Sequence, residues 1–210
     1  MTQKFPLVRL VDDDELFRTS QALMLQMNGF AIATYASAQE FLERDDLDRP
    51  GCVILDVRMP TMTGLELQEV MHQRGWRIPI LFLTGHGDIS MAVRTMQLGA
   101  VDFLEKPVPP AKLVEKVRHH VEASLAMWDR EHERQQLRAI WESLTPREQQ
   151  VIVFAADNLG NKEIAQQLTI AETTVKMHRA NAFAKFGINN ALDAYRLLSK
   201  IGVLPEENAR

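Results

Sequence analysis

The sequence predicts a chain in two parts, a doubly wound (βα)₅ α/β domain with a parallel five-stranded sheet followed by an all-α domain of four helices. Two observations support this fold class. Short apolar runs alternate with amphipathic stretches up to about residue 125, which is typical of parallel strands buried on both faces and joined by crossover helices. From Thr145 onward the apolar residues have helical spacing throughout.

The elements of the first part follow from these runs in order. The predicted strands are 7–11, 31–35, 52–55, 79–84 and 101–105. The predicted helices are 15–28, 38–44, 64–74, 88–98 and 110–128. Gly29 and Gly99 end the first and fourth of these helices, because glycine readily adopts the left-handed conformation found at helix C-termini.

A helical linker is predicted between the two parts. Apolar residues recur every three or four positions from Leu113 to Trp128, and residues 129–136 contain none. Neither Gly nor Pro occurs in residues 111–145, which favours continuous helix over the alternative, a flexible charged tether. The expected organisation is a first domain over 1–125, a linker over 126–143 and a second domain over 144–210.

Composition and charge exclude several classes of protein. The chain has 210 residues, of which 46% are hydrophobic and 25% are charged, as is ordinary for a soluble globular protein. No apolar run approaches the roughly 20 residues of a membrane helix, and the N-terminus lacks the apolar core of a signal peptide. The single cysteine, Cys52, cannot form an internal disulfide, which favours a reducing, cytoplasmic location. Residues 145–204 carry a net charge of +2 and the remainder −6, so the second part is the one suited to an anionic partner.

Polar side chains follow the predicted strands at the points where these strands end. Asp12 and Asp13 follow the first strand, Asp56 follows the third, Thr84 ends the fourth and Lys106 follows the fifth. Parallel strands present their carboxyl ends at one edge of the sheet, where ligands bind, so we expect these groups to meet there. Crowded carboxylates need a cation, and Mg²⁺ prefers such oxygen ligands. Asp56 could then stay ionised and attack a phosphoryl donor, with Lys106 and Thr84 contacting the phosphoryl oxygens.

The alternative is an acidic patch that only caps helix N-termini. For Asp14 alone we expect that role. His86, in the loop after the fourth strand, is likewise expected to be structural or solvated rather than chemically active.

Four segments together resemble a two-component receiver domain: Val11–Glu15, Leu55–Pro60, Leu83–Gly85 and Glu105–Pro107. Residues 84–88 are similar to the FixJ-like subgroup. The resemblance implies the flavodoxin-like fold of receiver domains, with Asp56 as the phosphoacceptor. It also implies that Mg²⁺ is held by Asp12, Asp13, Asp56 and the carbonyl of Arg58. Lys106 then contacts the phosphoryl group, Thr84 and Phe103 form a switch pair, and a cis bond precedes Pro107.

A switch also follows from physical chemistry. Phosphorylation of Asp56 adds charge and acceptor oxygens at one point. Thr84 is expected to move toward them, and Phe103 to turn inward into the vacated space. This would repack the face formed by helix 88–98, strand 101–105 and helix 110–125 and bias an existing two-state equilibrium. The expected product is a dimer surface.

The second part contains a helix-turn-helix pattern made by helices 161–168 and 172–186. Ile164, Ala165, Leu168, Ile170 and Val175 are expected to face inward. The exposed surface of the second helix is expected to contact phosphates and the major groove of DNA through Thr173, Thr174, Lys176, Met177, His178, Arg179 and Lys185. The alternatives are a purely structural helical hairpin and, for Lys176 and Arg179, solvated helix surface.

Three segments resemble the LuxR-type DNA-binding domain: Leu144–Glu148, Asn161–Ala165 and Thr174–Arg179. The resemblance makes 172–186 the recognition helix and a last helix, 190–201, a dimerisation element. The whole chain therefore resembles a response regulator of the NarL/FixJ family. Ala171 departs from the serine often found there and leaves the recognition helix without an N-cap side chain. Ala180 replaces a lysine found in some members, so base specificity cannot be transferred.

The expected function is phosphorylation-controlled regulation of transcription. A sensor histidine kinase would phosphorylate Asp56, and the chain would form a homodimer on double-stranded promoter DNA, away from any membrane. Its only chemistry would be phosphotransfer to itself and autodephosphorylation at Asp56. One rival is a phosphohydrolase, but such enzymes commonly need Asp-x-Asp, and Val57 and Arg58 follow Asp56 here. The other rival is an adaptor whose C-terminal helices bind a protein.

Overall fold

The fold is described from a computed structural model that covers residues 5–45, 48–85 and 95–205. The chain divides into two compact units, Met1–Trp128 and Asp129–Arg210. None of the helices in the described ranges is long and apolar enough to cross a membrane.

The first unit contains the predicted five-stranded parallel sheet. Its strands are β1 (Leu7–Val11), β2 (Ala31–Tyr35), β3 (Gly51–Leu55), β4 (Ile80–Thr84) and β5 (Asp102–Glu105). Their order is β2-β1-β3-β4-β5, and every neighbouring pair is parallel. The doubly wound α/β fold is therefore confirmed, with several strand ends shifted by one residue.

Helices cover both faces of this sheet. They are α1 (Glu15–Met27), α2 (Ala38–Arg44), α3 (Gly64–Gln73) and α4 (Pro110–Glu142). The predicted helix 88–98 lies mostly outside the described residues, of which 95–97 are helical. The charged residues 129–136 are exposed and lie within α4, so the tether alternative is wrong.

Two apolar cores lie on opposite sides of the sheet. Strands β3 and β4 are buried at every residue, and consecutive side chains such as Ile54 and Leu55 enter different cores. One core receives side chains from α2 and α3, among them Phe41 and Leu67. The other receives Leu25 of α1 together with side chains of α4.

Helix α1 turns an apolar stripe outward. Leu16, Leu23 and Met27 are 84%, 58% and 81% exposed. Ala22 and Leu25 of the same helix are the buried positions. The exposed apolar residues and the buried ones therefore lie on different faces of α1.

A buried ion pair joins β1 to the end of α2. Arg9 Nε lies 2.8 Å from Asp45 Oδ1, and both side chains are fully buried. The remaining nitrogens of Arg9 donate to the carbonyls of Leu7 and Arg49, and the Tyr35 hydroxyl donates to Asp45 at 2.5 Å. Burial and the Asp45 carboxylate raise the pKa of Tyr35 well above its usual range.

The second unit is helical over its described residues. After the end of α4 come α5 (Pro146–Ala156), α6 (Asn161–Leu168), α7 (Glu172–Phe186) and α8 (Ala191–Lys200). Thr145 and Glu148 cap α5 reciprocally, with Pro146 in its first turn. Ile164 and Val175 are fully buried in one core, and Ala165, Leu168 and Ile170 pack against it, so the predicted inward face is confirmed.

Candidate functional site

The carboxyl edge of the sheet brings Asp12, Asp56 and Lys106 together. The Lys106 ammonium lies 2.6 Å from Asp12 Oδ2 and 2.8 Å from Asp56 Oδ1. Asp12 follows β1 and Asp56 follows β3, which are hydrogen-bonded neighbours, while Lys106 reaches them from the end of β5. One cation thus bridges two carboxylates that lie 44 positions apart in the sequence.

Burial and ion pairing have opposite effects on the pKa values of Asp12 and Lys106. Burial raises the pKa of Asp12 above its usual value, although the hydrogen bond from Lys106 acts in the opposite direction. Burial alone would lower the pKa of Lys106, but its hydrogen bonds to Asp12 and Asp56 outweigh that effect and raise it. The ammonium therefore stays protonated and offsets part of the negative charge.

Backbone amides engage the other carboxylate oxygens. The amide of Asp14 donates to Asp12 Oδ1 at 2.9 Å, and the amide of Arg58 donates to Asp56 Oδ2 at 2.7 Å. Asp14 itself accepts from the amide of Phe17 and caps α1, which confirms its predicted role as a helix-start residue. Asp13 is exposed.

Helix α3 begins directly beside Asp56 because position 64 is glycine. A Cβ atom at Gly64 would lie 2.2 Å from the carbonyl oxygen of Asp56, closer than any real contact. Thr63 and Glu66 form a capping box that fixes the start of this helix.

Two residues of α1 contact the cluster of Asp12, Asp56 and Lys106, although the sequence motifs do not include them. The Lys106 ammonium lies 3.9 Å from the centroid of the Phe17 ring. Arg18 Nη1 donates to the carbonyl of Asp12 at 2.5 Å. Both residues lie in the first turn of α1, just after the Asp14 cap. Their closeness in sequence to Asp12 and Asp14 is the one feature of the sequence from which their contacts with the site could have been predicted.

The two expected switch residues lie on neighbouring strands. Thr84 is 1% exposed at the end of β4, and Phe103 of β5 is half-buried against the core that contains Phe82. The carbonyl of Thr84 accepts from the amide of Lys106 at 2.7 Å. The Lys106–Pro107 bond is cis, as the receiver resemblance implies. His86 lies outside the described residues.

The carboxylate oxygens at this edge are suitable ligands for a magnesium ion. Asp12 and Asp56 offer adjacent carboxylate oxygens, which Mg²⁺ prefers, and each oxygen keeps a lone pair beyond the hydrogen bond it accepts. Across the described residues, no three His, Cys, Asp or Glu side chains are arranged to hold a metal. Lys106 takes the position between the two carboxylates in this arrangement.

The second candidate site is the surface of α7. Its connection to α6 turns at Thr169, which has the left-handed φ of 55°. Thr173, Lys176 and Met177 are exposed, whereas Thr174, His178 and Arg179 are half-buried. Lys176 pairs with Glu172 at 3.1 Å in an exposed pair of little expected strength. Arg179 donates to Asn161 Oδ1 at 3.2 Å and lies over the ring of Phe183.

Lys185, for which the sequence predicts a DNA contact, forms an ion pair within the second unit. Its ammonium lies 2.8 Å from Glu148 Oε2 and 3.3 Å from the carbonyl of Ser143. The hydrogen bond from Lys185, with that from the Thr145 amide, lowers the pKa of Glu148 to about 2.

Comparison with known proteins matches both units. Residues 8–118 match the response regulator receiver domain, and residues 142–198 match the luxR family of bacterial regulatory proteins. The transcriptional regulatory protein FixJ of Azorhizobium caulinodans is 37% identical over 210 residues, which covers 100% of this chain and 99% of that protein. The chain belongs to the NarL/FixJ family of response regulators.

Other proteins are similar to this chain over most of their length. FixJ of Rhizobium meliloti is 41% identical over 178 residues, covering 85% of this chain and 87% of that protein. The solved structure of the response regulator StyR aligns with a TM-score of 0.87 and 39% identity, over 93% of this chain and 99% of that one. A receiver domain followed by a LuxR-type DNA-binding domain makes this response regulator a phosphorylation-dependent regulator of transcription.

Proposed function

We propose that Asp56 is the residue on which this response regulator accepts a phosphoryl group, and that a sensor histidine kinase is the donor. The observation that supports this best is the Lys106 ammonium, which is held at both Asp12 and Asp56. A carboxylate oxygen of Asp56 forms the new P–O bond. The P–N bond to the donor histidine breaks, and the departing nitrogen keeps the electron pair.

Lys106 and Thr84 would act on the transferred group. Lys106 can exchange its hydrogen bond to Asp56 for one to a phosphoryl oxygen while it keeps Asp12, and the Thr84 hydroxyl can donate to another oxygen. Attack by water on the phosphorus would later restore the carboxylate. These steps at Asp56 are the only chemistry that we assign to the chain.

Mg²⁺ would be held by the carboxylates of Asp12, Asp13 and Asp56 and by the carbonyl of Arg58. When bound, it supplies positive charge that offsets the carboxylates and the phosphoryl oxygens. The hydrogen bond from the Arg58 amide to Asp56 already brings this backbone segment next to the acceptor.

The output would be dimerisation on the face made by residues 88–98, 101–105 and 110–125. Thr84 and Phe103 would carry the change from Asp56 to this face. Strand β5 and helix α4 are joined there by an ion pair between Asp102 and Lys116, 2.8 Å long. In this proposal residues 1–125 form the receiver, 126–143 the linker and 144–210 the DNA-binding domain.

DNA would be bound by the exposed side of α7. The proposed contacts are Thr173, Thr174, Lys176, Met177, His178, Arg179 and Lys185. Lys185 would in addition hold α7 against α5 through Glu148.

Acetyl phosphate labelling in the presence of Mg²⁺ tests the acceptor. Asp56→Asn should abolish labelling and the dimerisation that follows it, measured by intact-protein mass and by light scattering. Asp14→Asn is the matched control, because it removes a neighbouring carboxylate while asparagine still caps α1. Full labelling of Asp56→Asn would refute the assignment.

A gel-shift titration tests whether the exposed side of α7 binds DNA. Lys176→Ala and Arg179→Ala should weaken binding to promoter DNA without changing phosphorylation. The slope of log affinity against log salt should fall by about 0.9 for each lost phosphate contact. Arg147→Ala, which removes the same charge from α5, is the control. Unchanged affinity and an unchanged slope in both α7 variants would favour the alternative function, an adaptor whose C-terminal helices bind a protein.

A further inference from the structure

The aromatic ring of Phe17 is the third group that surrounds the Lys106 ammonium. Two hydrogen bonds tie this ammonium to Asp12 and Asp56, and the Phe17 centroid lies 3.9 Å away. An ammonium has three N–H donors, so the two carboxylates leave one of them. The negative face of an aromatic ring attracts a cation within about 6 Å of its centroid.

The setting makes this contact stronger than one on an open surface. The Lys106 side chain is 18% exposed, and those of Asp12 and Asp56 are 2% and 9% exposed. Phe17 is itself half-buried and packs against the core that contains Leu25. Little water can compete for the ammonium at such a site, and cation–π attraction grows as water is removed.

We infer that Phe17 is a positioning residue for phosphoryl transfer, because its ring holds the ammonium of Lys106 at the acceptor carboxylate. This inference rests on the proposed role of Asp56 and Lys106. The ring attracts the ammonium without taking either of its hydrogen bonds to the carboxylates. Lys106 can therefore release Asp56 to bind the phosphoryl group and still be held in place by Phe17 and Asp12.

Simple core packing is the competing explanation, and the two make different demands on the side chain. Packing requires an apolar group of suitable size, which leucine largely provides. Positioning requires a π-face, which leucine lacks and tyrosine keeps. Phe17→Leu and Phe17→Tyr therefore separate the two roles. Leu16→Ala serves as the control, because Leu16 is the neighbouring apolar residue on α1 and is 84% exposed.

The experiment measures the rate at which phosphoramidate labels the full-length chain in excess Mg²⁺. This small donor has no surface that could dock on α1, so any effect of Phe17 on kinase binding is excluded. Phe17→Leu should label about three- to tenfold more slowly than the native chain, whereas Phe17→Tyr and Leu16→Ala should stay within about twofold. Thermal unfolding of each variant is recorded alongside.

A spectroscopic readout accompanies the rate. A proton above an aromatic ring is shifted upfield in the NMR spectrum, so the Cε methylene protons of Lys106 should be upfield in the native chain. The resonance is assigned by its loss in Lys106→Arg. The upfield shift should persist in Phe17→Tyr and disappear in Phe17→Leu.

Two results would overturn the inference: a native labelling rate in Phe17→Leu, or equal slowing in Phe17→Leu and Phe17→Tyr with matching losses of thermal stability. Labelling of Asp56→Asn under the same conditions would instead refute the proposed acceptor. The failure of the inference and that of the proposed function therefore remain distinguishable.

Discussion

The ammonium of Lys185 on α7 lies 2.8 Å from Oε2 of Glu148 on α5, and the same ammonium also reaches the carbonyl of Ser143. The Glu148 side chain is 5% exposed and that of Lys185 is 39% exposed. Glu148 also accepts from the amide of Thr145 in the capping box that starts α5. A single carboxylate thus serves both a helix cap and a contact between two helices.

Replacing Lys185 with methionine should destabilise the second unit. The change leaves the Glu148 carboxylate buried without its cation, and partial exposure of the lysine reduces the cost to about 1–2 kcal/mol. Hydrogen exchange of amides in α5 and α7 of the full chain measures this free energy. Lys176→Met is the control, because its exposed pair with Glu172 should contribute less than about 0.5 kcal/mol. Equal protection in the two variants would contradict the prediction.

The same pair should make the stability of the second unit depend on acid. The pKa of Glu148 falls from 4.5 to about 2 on folding, mainly through the hydrogen bond from Lys185. A lowered pKa means that the stabilisation is complete above 4.5 and is lost as the pH falls toward about 2. The native chain should therefore exceed Glu148→Gln in stability more at pH 7 than at pH 3. Chemical denaturation at the two pH values checks this, with Glu172→Gln as the exposed control; a constant difference would disprove it.

The sequence predicts the cluster of polar residues at the strand ends because the topology of a parallel sheet determines which residues meet there. Apolar runs locate the strands, and parallel strands bring their carboxyl ends to one edge, so Asp56 and Lys106 meet although they lie far apart in the chain. Phe17 is not predicted, because its contact depends on how α1 packs across the sheet and on two side-chain conformations.

Charged residues with a buried role are equally hard to find in a sequence. Lys185 lies on a helix with other basic residues, and Glu148 lies 37 positions earlier in the first turn of another helix. Each has the pattern of a solvated surface residue, and only the tertiary packing pairs them. The outward stripe of Leu16, Leu23 and Met27 shows the same limit, because periodicity identifies a helix without deciding which face is buried.

Removing the cation from the buried ion pair of Arg9 and Asp45 should lower the free energy of unfolding far more than removing the cation from an ion pair on the surface. Arg9→Met leaves the fully buried Asp45 carboxylate without its cation, at an expected cost of about 3–5 kcal/mol in the unfolding free energy. Arg44→Met is the matched control, because Arg44 pairs with Glu40 on the surface and should cost less than about 0.5 kcal/mol. Denaturant unfolding of the full chain measures both, and a similar loss in the two variants would contradict the buried role.

A side-chain cap should stabilise the start of α7, where the native chain has none. Ala171 occupies the N-cap position with extended backbone (φ −69°, ψ 144°) and provides no side-chain acceptor. A serine hydroxyl at this position could accept from a free amide of the first turn, so Ala171→Ser should raise stability by about 1 kcal/mol. Ala180→Ser makes the same chemical change in the middle of α7, where serine is a poorer helix former than alanine, and should lower stability by about 0.5 kcal/mol. Thermal unfolding and amide exchange in the first turn of α7 measure the two effects. Because capping and helix propensity act in opposite directions for the same substitution, shifts of the same sign in both variants would show that the start of α7 is not limited by its missing cap.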